Sequence, residues 1–326
     1  MEVFSIVILL FSFLLLLSIG TPVAWSIIIS SLFTLLVSVP FLPALTTISQ
    51  RMATGIDSFA LLAIPFFILS GELMNKGGVA HRLVAFAKAL VGFLPGGLAL
   101  INVISAMLMG SVAGSAMASA SAMGSILGPE MEKEGYSKGF GVAINITSAT
   151  TGLVIPPSNI LIVYSLASGG ASIAALFLAG YIPGILTGLF LMAVAMIWAK
   201  KKNFKTGKRA PLKTVFGSFV RAFPSLMLLF VVIGGIVSGV FTATEASAIA
   251  VIYTLVLGFI YKEITFKTLP TILLKSSTTT AIVMFLIGAS MSMSWVLSYE
   301  NIPEMISSGI LSLSDNKIVI LLLINF

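Results

Sequence analysis

Two short stretches carry most of the polar chemistry in this sequence. The first reads GSVAGSAMAS (110–119) and continues through Ser121, Gly124 and Ser125. The second reads NITSATTGLVIPPSN (145–159). In the second, Pro156 and Pro157 remove two helix donors and clash with the preceding turn, and Gly152 adds freedom. The spacing predicts a helix break that frees carbonyls near Thr150 to Val154. Hydroxyls beside free carbonyls are hard oxygen ligands suited to Na⁺. A half-helix starting at Pro157 or Ser158 presents N–H groups and a positive dipole end, which suit a carboxylate. Taken singly, the first stretch also fits small-residue contacts in an ordinary helix pair, and the second a proline-kinked span. Two such breaks in neighbouring segments point to carrying a solute.

Other chemistries are disfavoured. Cysteine is absent, and His81 is the only histidine, set beside Arg82. Thiolate sites, triads and multi-histidine metal sites therefore lack their parts. No G-x-x-x-x-G-K-[ST] run is present, so the chain has no such ATP site. Asp57 and Glu72 flank residues 55–75, and Glu245 lies early in 243–261. Intramembrane carboxylates are functional candidates, but Asp57 and Glu245 fit a capping or interfacial role at least as well. No Asp/Glu/His series forms a proton relay, so Na⁺ coupling reads better than H⁺ coupling.

The elements that position these residues are membrane spans. Of 326 residues, 58% are hydrophobic and 9% are charged, against about 25% charged in soluble domains. Runs that approach the roughly 20 apolar residues of a span lie near 3–19, 21–39, 55–75, 139–168, 173–198, 222–240, 243–261 and 276–298. The first is expected to be retained, because Met1 to Gly20 has no basic start and no A-x-A-like cleavage site. Residues 79–95 carry His81, Arg82 and Lys88 and suit a helix at the interface. Residues 97–128 are apolar but studded with small residues.

The net charge of +7 reads as topology, since Lys and Arg accumulate in cytoplasmic loops. If 97–128 is a re-entrant hairpin and the N-terminus lies outside, the cytoplasmic segments are 76–88, 130–138, 199–221 and 262–275. These hold all the Lys and Arg except Arg51 and Lys317. If 97–128 crossed fully, the most basic segment, KKKNFKTGKRAPLK, would face outward. Nucleic acid is not an expected partner; the lipid bilayer is.

A weak internal repeat relates 9–36 to 228–256: a long apolar helix, a break at Gly20-Thr21 or Gly239 to Thr242, then a Ser/Ala-rich helix. On the topology above the copies run in opposite directions, as in many secondary transporters. Counterparts of the hairpin and broken helix should begin near residue 320, so the sequence reads as an incomplete copy of a longer protein.

The segments GIDSFALLAIPFFILSGELMNKGG (55–78), GSVAGSAMASASAMGSI (110–126), SATTGLVIPPSNILIVY (148–164) and GVFTATEASAIAVIY (239–253) resemble the large membrane subunit of tripartite ATP-independent periplasmic (TRAP) transporters, a DctM-like permease. The resemblance covers nearly the whole chain. It implies an all-α integral membrane protein with an elevator-type ion-transporter fold, inverted repeats, a re-entrant hairpin and a broken helix, the second hairpin being absent from this chain. On that plan 1–54 are scaffold helices. Residues 55–168 form half of a transport domain, with arm 79–95, hairpin 97–128 and broken helix 139–168. Residues 169–221 are a connecting span and a basic cytoplasmic linker, 222–275 are scaffold helices of the second repeat, and 276–326 start the second transport half.

The resemblance further implies Na⁺-coupled uptake of an organic acid (a dicarboxylate, a sugar acid or a sialic acid-like carboxylate) across the bacterial inner membrane, and no enzyme activity. A periplasmic binding protein delivers the substrate, and a small four-helix membrane subunit completes the scaffold. The N-terminus is then periplasmic. Carried onto this sequence, the substrate contacts fall on Gly114, Ser115, Pro156, Pro157 and Ser158. The Na⁺ ligands fall on Ser111, Gly114, Ser115, Ser148, Thr150 and Gly152. The chain departs from many members at Ser119, where they carry an acid, and at Ala149, where they carry Ser. An elevator-type anion transporter that works without a binding protein is the alternative.

Overall fold

A computed structural model describes residues 2–202, 204, 207, 209–314 and 316–325. Met1, Asn203, Lys205, Thr206, Lys208, Asp315 and Phe326 lie outside the described residues. Every regular element among the described residues is helical. In chain order these are α1 (Glu2–Ser18), α2 (Val23–Leu35), α3 (Phe41–Gly55), a 3-10 turn (Phe59–Leu62), α4 (Ala63–Lys76), α5 (Val79–Val91), α6 (Gly97–Ala113), α7 (Ala116–Lys133) and α8 (Lys138–Ala149). Then follow α9 (Thr151–Val154), α10 (Asn159–Ala167), α11 (Ile173–Lys201), α12 (Leu212–Val237), α13 (Ala243–Ile260), α14 (Leu269–Tyr299), α15 (Ile302–Leu313) and α16 (Lys317–Asn325). The chain divides into two compact units, Met1–Ser58 with Ala281–Phe326, and Phe59–Thr280.

In the first unit α1 packs on α2 through hydroxylated faces: Ser5 and Ser12 on α1, Ser26, Ser30 and Thr34 on α2, all buried. Several hydroxyls return to their own helices, Ser12 to the Ile8 carbonyl (2.6 Å) and Thr34 to that of Ser30 (2.8 Å). Small faces bring helix backbones close where lipid supplies no hydrophobic drive between helices. Between α2 and the 3-10 turn the chain forms α3. Its Ala44 and Ile48, one turn apart, are buried against Leu35 and Val296, while Phe41, Leu42 and Leu45 are exposed. The guanidinium of Arg51 lies 4.8 Å over the Trp295 ring.

In the second unit α4 packs along α13, whose small face (Ala243, Ala246, Ser247, Ala250, Thr254, Gly258) recurs at helical spacing and is buried. The span expected at 55–75 starts later, with the 3-10 turn and then α4. Its Glu72 pairs with Lys275 of α14 at 2.9 Å. Segment 79–95, expected to lie at the interface, contains α5, which packs on α6 and α12. A core of Ala99, Leu100, Val103, Met131, Tyr136, Ile144 and Ala195 ties α6, α7, α8 and α11 together.

Among the described residues, five helices, or six when the bent 138–167 pair is counted as one, are long and apolar enough to cross a membrane. Residues 3–19 and 21–39, expected as spans, form shorter apolar helices of 17 and 13 residues.

Candidate functional site

The chain turns between α6 and α7 over Gly114 and Ser115. Gly114 has φ +60°, a left-handed conformation that costs glycine little. Its N–H closes α6 on the Gly110 carbonyl at 2.7 Å, a common glycine helix ending. Ser115 is extended, and its hydroxyl accepts the Ala118 N–H at 3.3 Å, capping α7. The two helices lie side by side: the Ser119 hydroxyl donates across them to the Ala106 carbonyl at 3.1 Å. α7 runs on to Lys133, past the expected end at 128.

The second element is a broken helix. α8 and α9 lead into a bend of 52° before α10, and the Pro156–Pro157 bond is cis. Neither proline has an N–H to give back to Gly152 or Leu153. The Leu153 carbonyl takes the Ser158 hydroxyl instead. Ser158 also caps α10 by accepting the Leu161 N–H at 3.4 Å, so the half-helix begins at Asn159. The carbonyls expected to be free are partly engaged. Thr150 accepts from Leu153 N–H (3.0 Å) and Thr151 from Ile155 N–H (2.9 Å).

These two elements meet backbone to backbone. A Cβ built on Gly110 would lie 2.2 Å from the Gly152 Cα, and one on Gly114 would lie 3.0 Å from the Pro157 carbonyl oxygen and 3.6 Å from Asn159 Nδ2. The N-termini of α7 and α10 thus begin within two residues of the approach of Gly114 to Asn159. Two positive helix ends and the carbonyl ends of α6 and α9 share one neighbourhood. The first pair suits a carboxylate and the second a hard cation.

The sequence-derived residues sort accordingly. Gly114 and Ser115 form the tip; Pro156, Pro157 and Ser158 are buried in the break; Gly152 lies against Gly110. Ser111, 3% exposed, gives its hydroxyl to the Leu108 carbonyl. Ser148 is buried but turned to α6, donating to Asn102 Oδ1 at 2.9 Å. Thr150 is exposed, its hydroxyl on the Thr147 carbonyl at 2.7 Å. The carboxylates are otherwise employed: Glu245 completes a capping box with Thr242, Glu72 holds Lys275, and Asp57 is exposed.

Three contributors were not assigned a role from the sequence. Asn102 holds Ser148, and its signal was a single amide within an apolar run. Asn159 sits beside Gly114 with its Oδ1 buried and unbonded. Gly180, Gly184 and Gly188 of α11 form a stripe against Val154, Ile155 and Met107. Their four-residue spacing is a helix-packing signature readable from the sequence.

The family model described as "Tripartite ATP-independent periplasmic transporter, DctM component" matches residues 10–326. The chain is 53% identical to the uncharacterized protein YgiK of Salmonella typhimurium, over 99% of this chain and 74% of that protein. It is 38% identical to the sialic acid TRAP transporter large permease SiaM of Vibrio cholerae, over 97% of this chain and 74% of that protein. It is also 38% identical to the C4-dicarboxylate TRAP transporter large permease DctM of Pseudomonas aeruginosa, over 82% of this chain and 63% of that protein.

Proposed function

The chain belongs to the DctM component family of tripartite ATP-independent periplasmic transporters, and on that premise we propose that it carries an organic acid into the bacterial cell, driven by Na⁺. A periplasmic binding protein hands over the substrate, and a small membrane subunit completes the assembly. The observation that carries the reading is the meeting of the Gly114–Ser115 tip with the Pro156–Pro157 break, which gathers two helix N-termini and two helix C-termini.

In this reading the N–H groups at the starts of α7 and α10 that Ser115 and Ser158 leave uncapped hold the substrate carboxylate. Ser111, the carbonyls around Gly114 and Gly152, and Ser148 and Thr150 supply oxygens for Na⁺. The donors present are all neutral oxygens, which fits Na⁺. Ser148 and Thr150 must turn from the hydrogen bonds they now make in order to join. α6 and α7 form a re-entrant hairpin entered from the cytoplasm, the basic 199–221 segment faces the cytoplasm, and the N-terminus is periplasmic. The tip and break belong to a body that moves across the membrane against a fixed scaffold, built from two inverted repeats with boundaries at 55, 169, 222 and 276.

Uptake by the full-length protein with its partner subunits in proteoliposomes tests this. The assay supplies binding protein and a panel of C4-dicarboxylates, sugar acids and sialic acid. Uptake is expected for one class, only with binding protein, and only with an inward Na⁺ gradient. Equal uptake in choline medium overturns the coupling, and equal uptake without binding protein overturns the tripartite assignment.

A further inference from the structure

Asn159 is the first residue of α10, directly beyond the Ser158 cap. Its side chain lies against the turn that leads into α7: a Cβ built on Gly114 would stand 3.6 Å from its Nδ2 and 3.7 Å from its Cγ. The amide makes no hydrogen bond that the fold needs. Its Oδ1 is buried without a partner. Its Nδ2 has none either among the described residues, yet it is not sealed off, and Asn159 as a whole is half-buried. Ser158 already takes the Leu161 N–H at 3.4 Å, so the helix start does not call for a second cap. An amide left unmatched beside packed backbone costs stability that an apolar side chain would not. Its place is therefore explained by something that comes to it.

The surroundings narrow what that is. Residues 110–126 and 145–164 contain no Lys, Arg, His, Asp or Glu, so their side chains can meet a charged solute only with neutral groups. They hold two amide side chains. Asn145 gives its Nδ2 to the Ala120 carbonyl at 2.8 Å, whereas that of Asn159 is uncommitted. The accessible end of Asn159 is thus a donor, set where the positive ends of α7 and α10 already favour an anion. A cation there would face N–H groups; a carboxylate oxygen would accept from them. We propose that Asn159 is a specificity-determining residue, its Nδ2 donating to a carboxylate oxygen of the transported acid. The assignment rests on the reading that the tip and the break bind the substrate.

The test uses the full-length transporter with its partner subunits in proteoliposomes, and whichever of succinate, gluconate and sialic acid the wild type takes up. Apparent KM for that acid, maximal rate and half-saturating Na⁺ are measured for wild type, Asn159→Leu and Asn159→Asp. A lost hydrogen bond to a charged acceptor is worth about tenfold or more in affinity, so Asn159→Leu should raise KM about tenfold. Asn159→Asp keeps the shape and sets a carboxylate against a carboxylate, so it should raise KM further; it also carries the test should the leucine variant fail to fold. Half-saturating Na⁺, read at saturating acid, should stay at the wild-type value in both, which a loosened break would not allow. A wild-type KM in Asn159→Asp overturns the assignment and leaves the proposed function standing. Tighter Na⁺ with an unchanged acid KM in that variant would make Asn159 a cation ligand and also overturns it. If the wild type takes up none of the three acids, the proposed function falls and this assignment with it.

Discussion

Gly110 and Gly152 are in backbone contact: a Cβ built on either would lie 2.2 to 2.4 Å from the other's Cα. No rotamer relieves that clash, because the obstacle is main chain. Gly110→Ala should therefore force α6 away from the break. Overpacking of this kind costs about 1–3 kcal/mol, and the displaced tip should lower uptake more than stability. Thermal unfolding and uptake measured on the same preparation test this. Gly217→Ala on α12, where a Cβ meets nothing within 4 Å, should be nearly silent in both. Equal behaviour of the two variants would remove the contact from the argument.

The break itself was legible in the sequence, because Pro156 and Pro157 lack N–H groups wherever they are placed. The small residues at 110–119 were legible as a close-packing element for the same local reason. What they pack against was not. Gly152 meets Gly110, and Ser148 turns to Asn102, through pairings that link distant segments and leave no periodicity. α3 was hidden because its exposed apolar residues, Phe41, Leu42 and Leu45, blur the narrow buried stripe of Ala44 and Ile48. Thr150 looked equivalent to Ser148 in sequence, yet two positions along a helix is about 200° of rotation. One side chain is buried and the other exposed.

Glu72 and Lys275 are unequal partners. The Glu72 side chain is 11% exposed and that of Lys275 is 56% exposed. Removing the lysine strands a carboxylate in a low-dielectric setting, whereas removing the charge of Glu72 leaves an ammonium that can reach water. Lys275→Met should therefore lower stability more than Glu72→Gln. The first should cost about 1–3 kcal/mol, below the range for fully buried pairs because one partner is wet. A double-mutant cycle on unfolding temperature checks the order, and equal losses would overturn it.

Ser158 has two tasks at one hydroxyl. It donates to the Leu153 carbonyl, left without a donor by Pro157, and accepts the Leu161 N–H that starts α10. Ser158→Ala should cost about 0.5–2 kcal/mol as a lost cap. Because the same helix end is proposed to face the substrate, the apparent KM for the organic acid should rise. Ser158→Thr keeps the hydroxyl and should restore most of both. An unchanged KM in the alanine variant would take Ser158 out of the binding site.

Tyr136 offers a pH test outside the membrane spans. Its ring stacks on Phe204 at 4.0 Å, and burial with the nearby charge of Glu134 pushes its hydroxyl up to about 12. An unfolded tyrosine ionises near 10. The folded state thus favours the neutral phenol. That contribution is whole below about pH 10 and is lost as the pH climbs through about 12. Tyr136→Phe should flatten the alkaline fall in stability over that window, read as unfolding temperature against pH. Parallel curves for wild type and variant would overturn the assignment.

The glycines of α11 are one stripe with two kinds of neighbour. A Cβ at Gly180 would stand 2.4 Å from the Val154 carbonyl oxygen, at the break itself. A Cβ at Gly188 would stand 2.3 Å from Met107 Sδ, part of an unbranched side chain with three rotatable bonds. The thioether can swing aside, and the carbonyl cannot move without moving the break. Gly180→Ala should therefore lower both stability and uptake, while Gly188→Ala should cost less than about 1 kcal/mol and leave uptake near wild type. If the Gly188 variant proved the more damaging, α11 would bear on the first arm of the tip through Met107, and its grip on the proline break would be secondary.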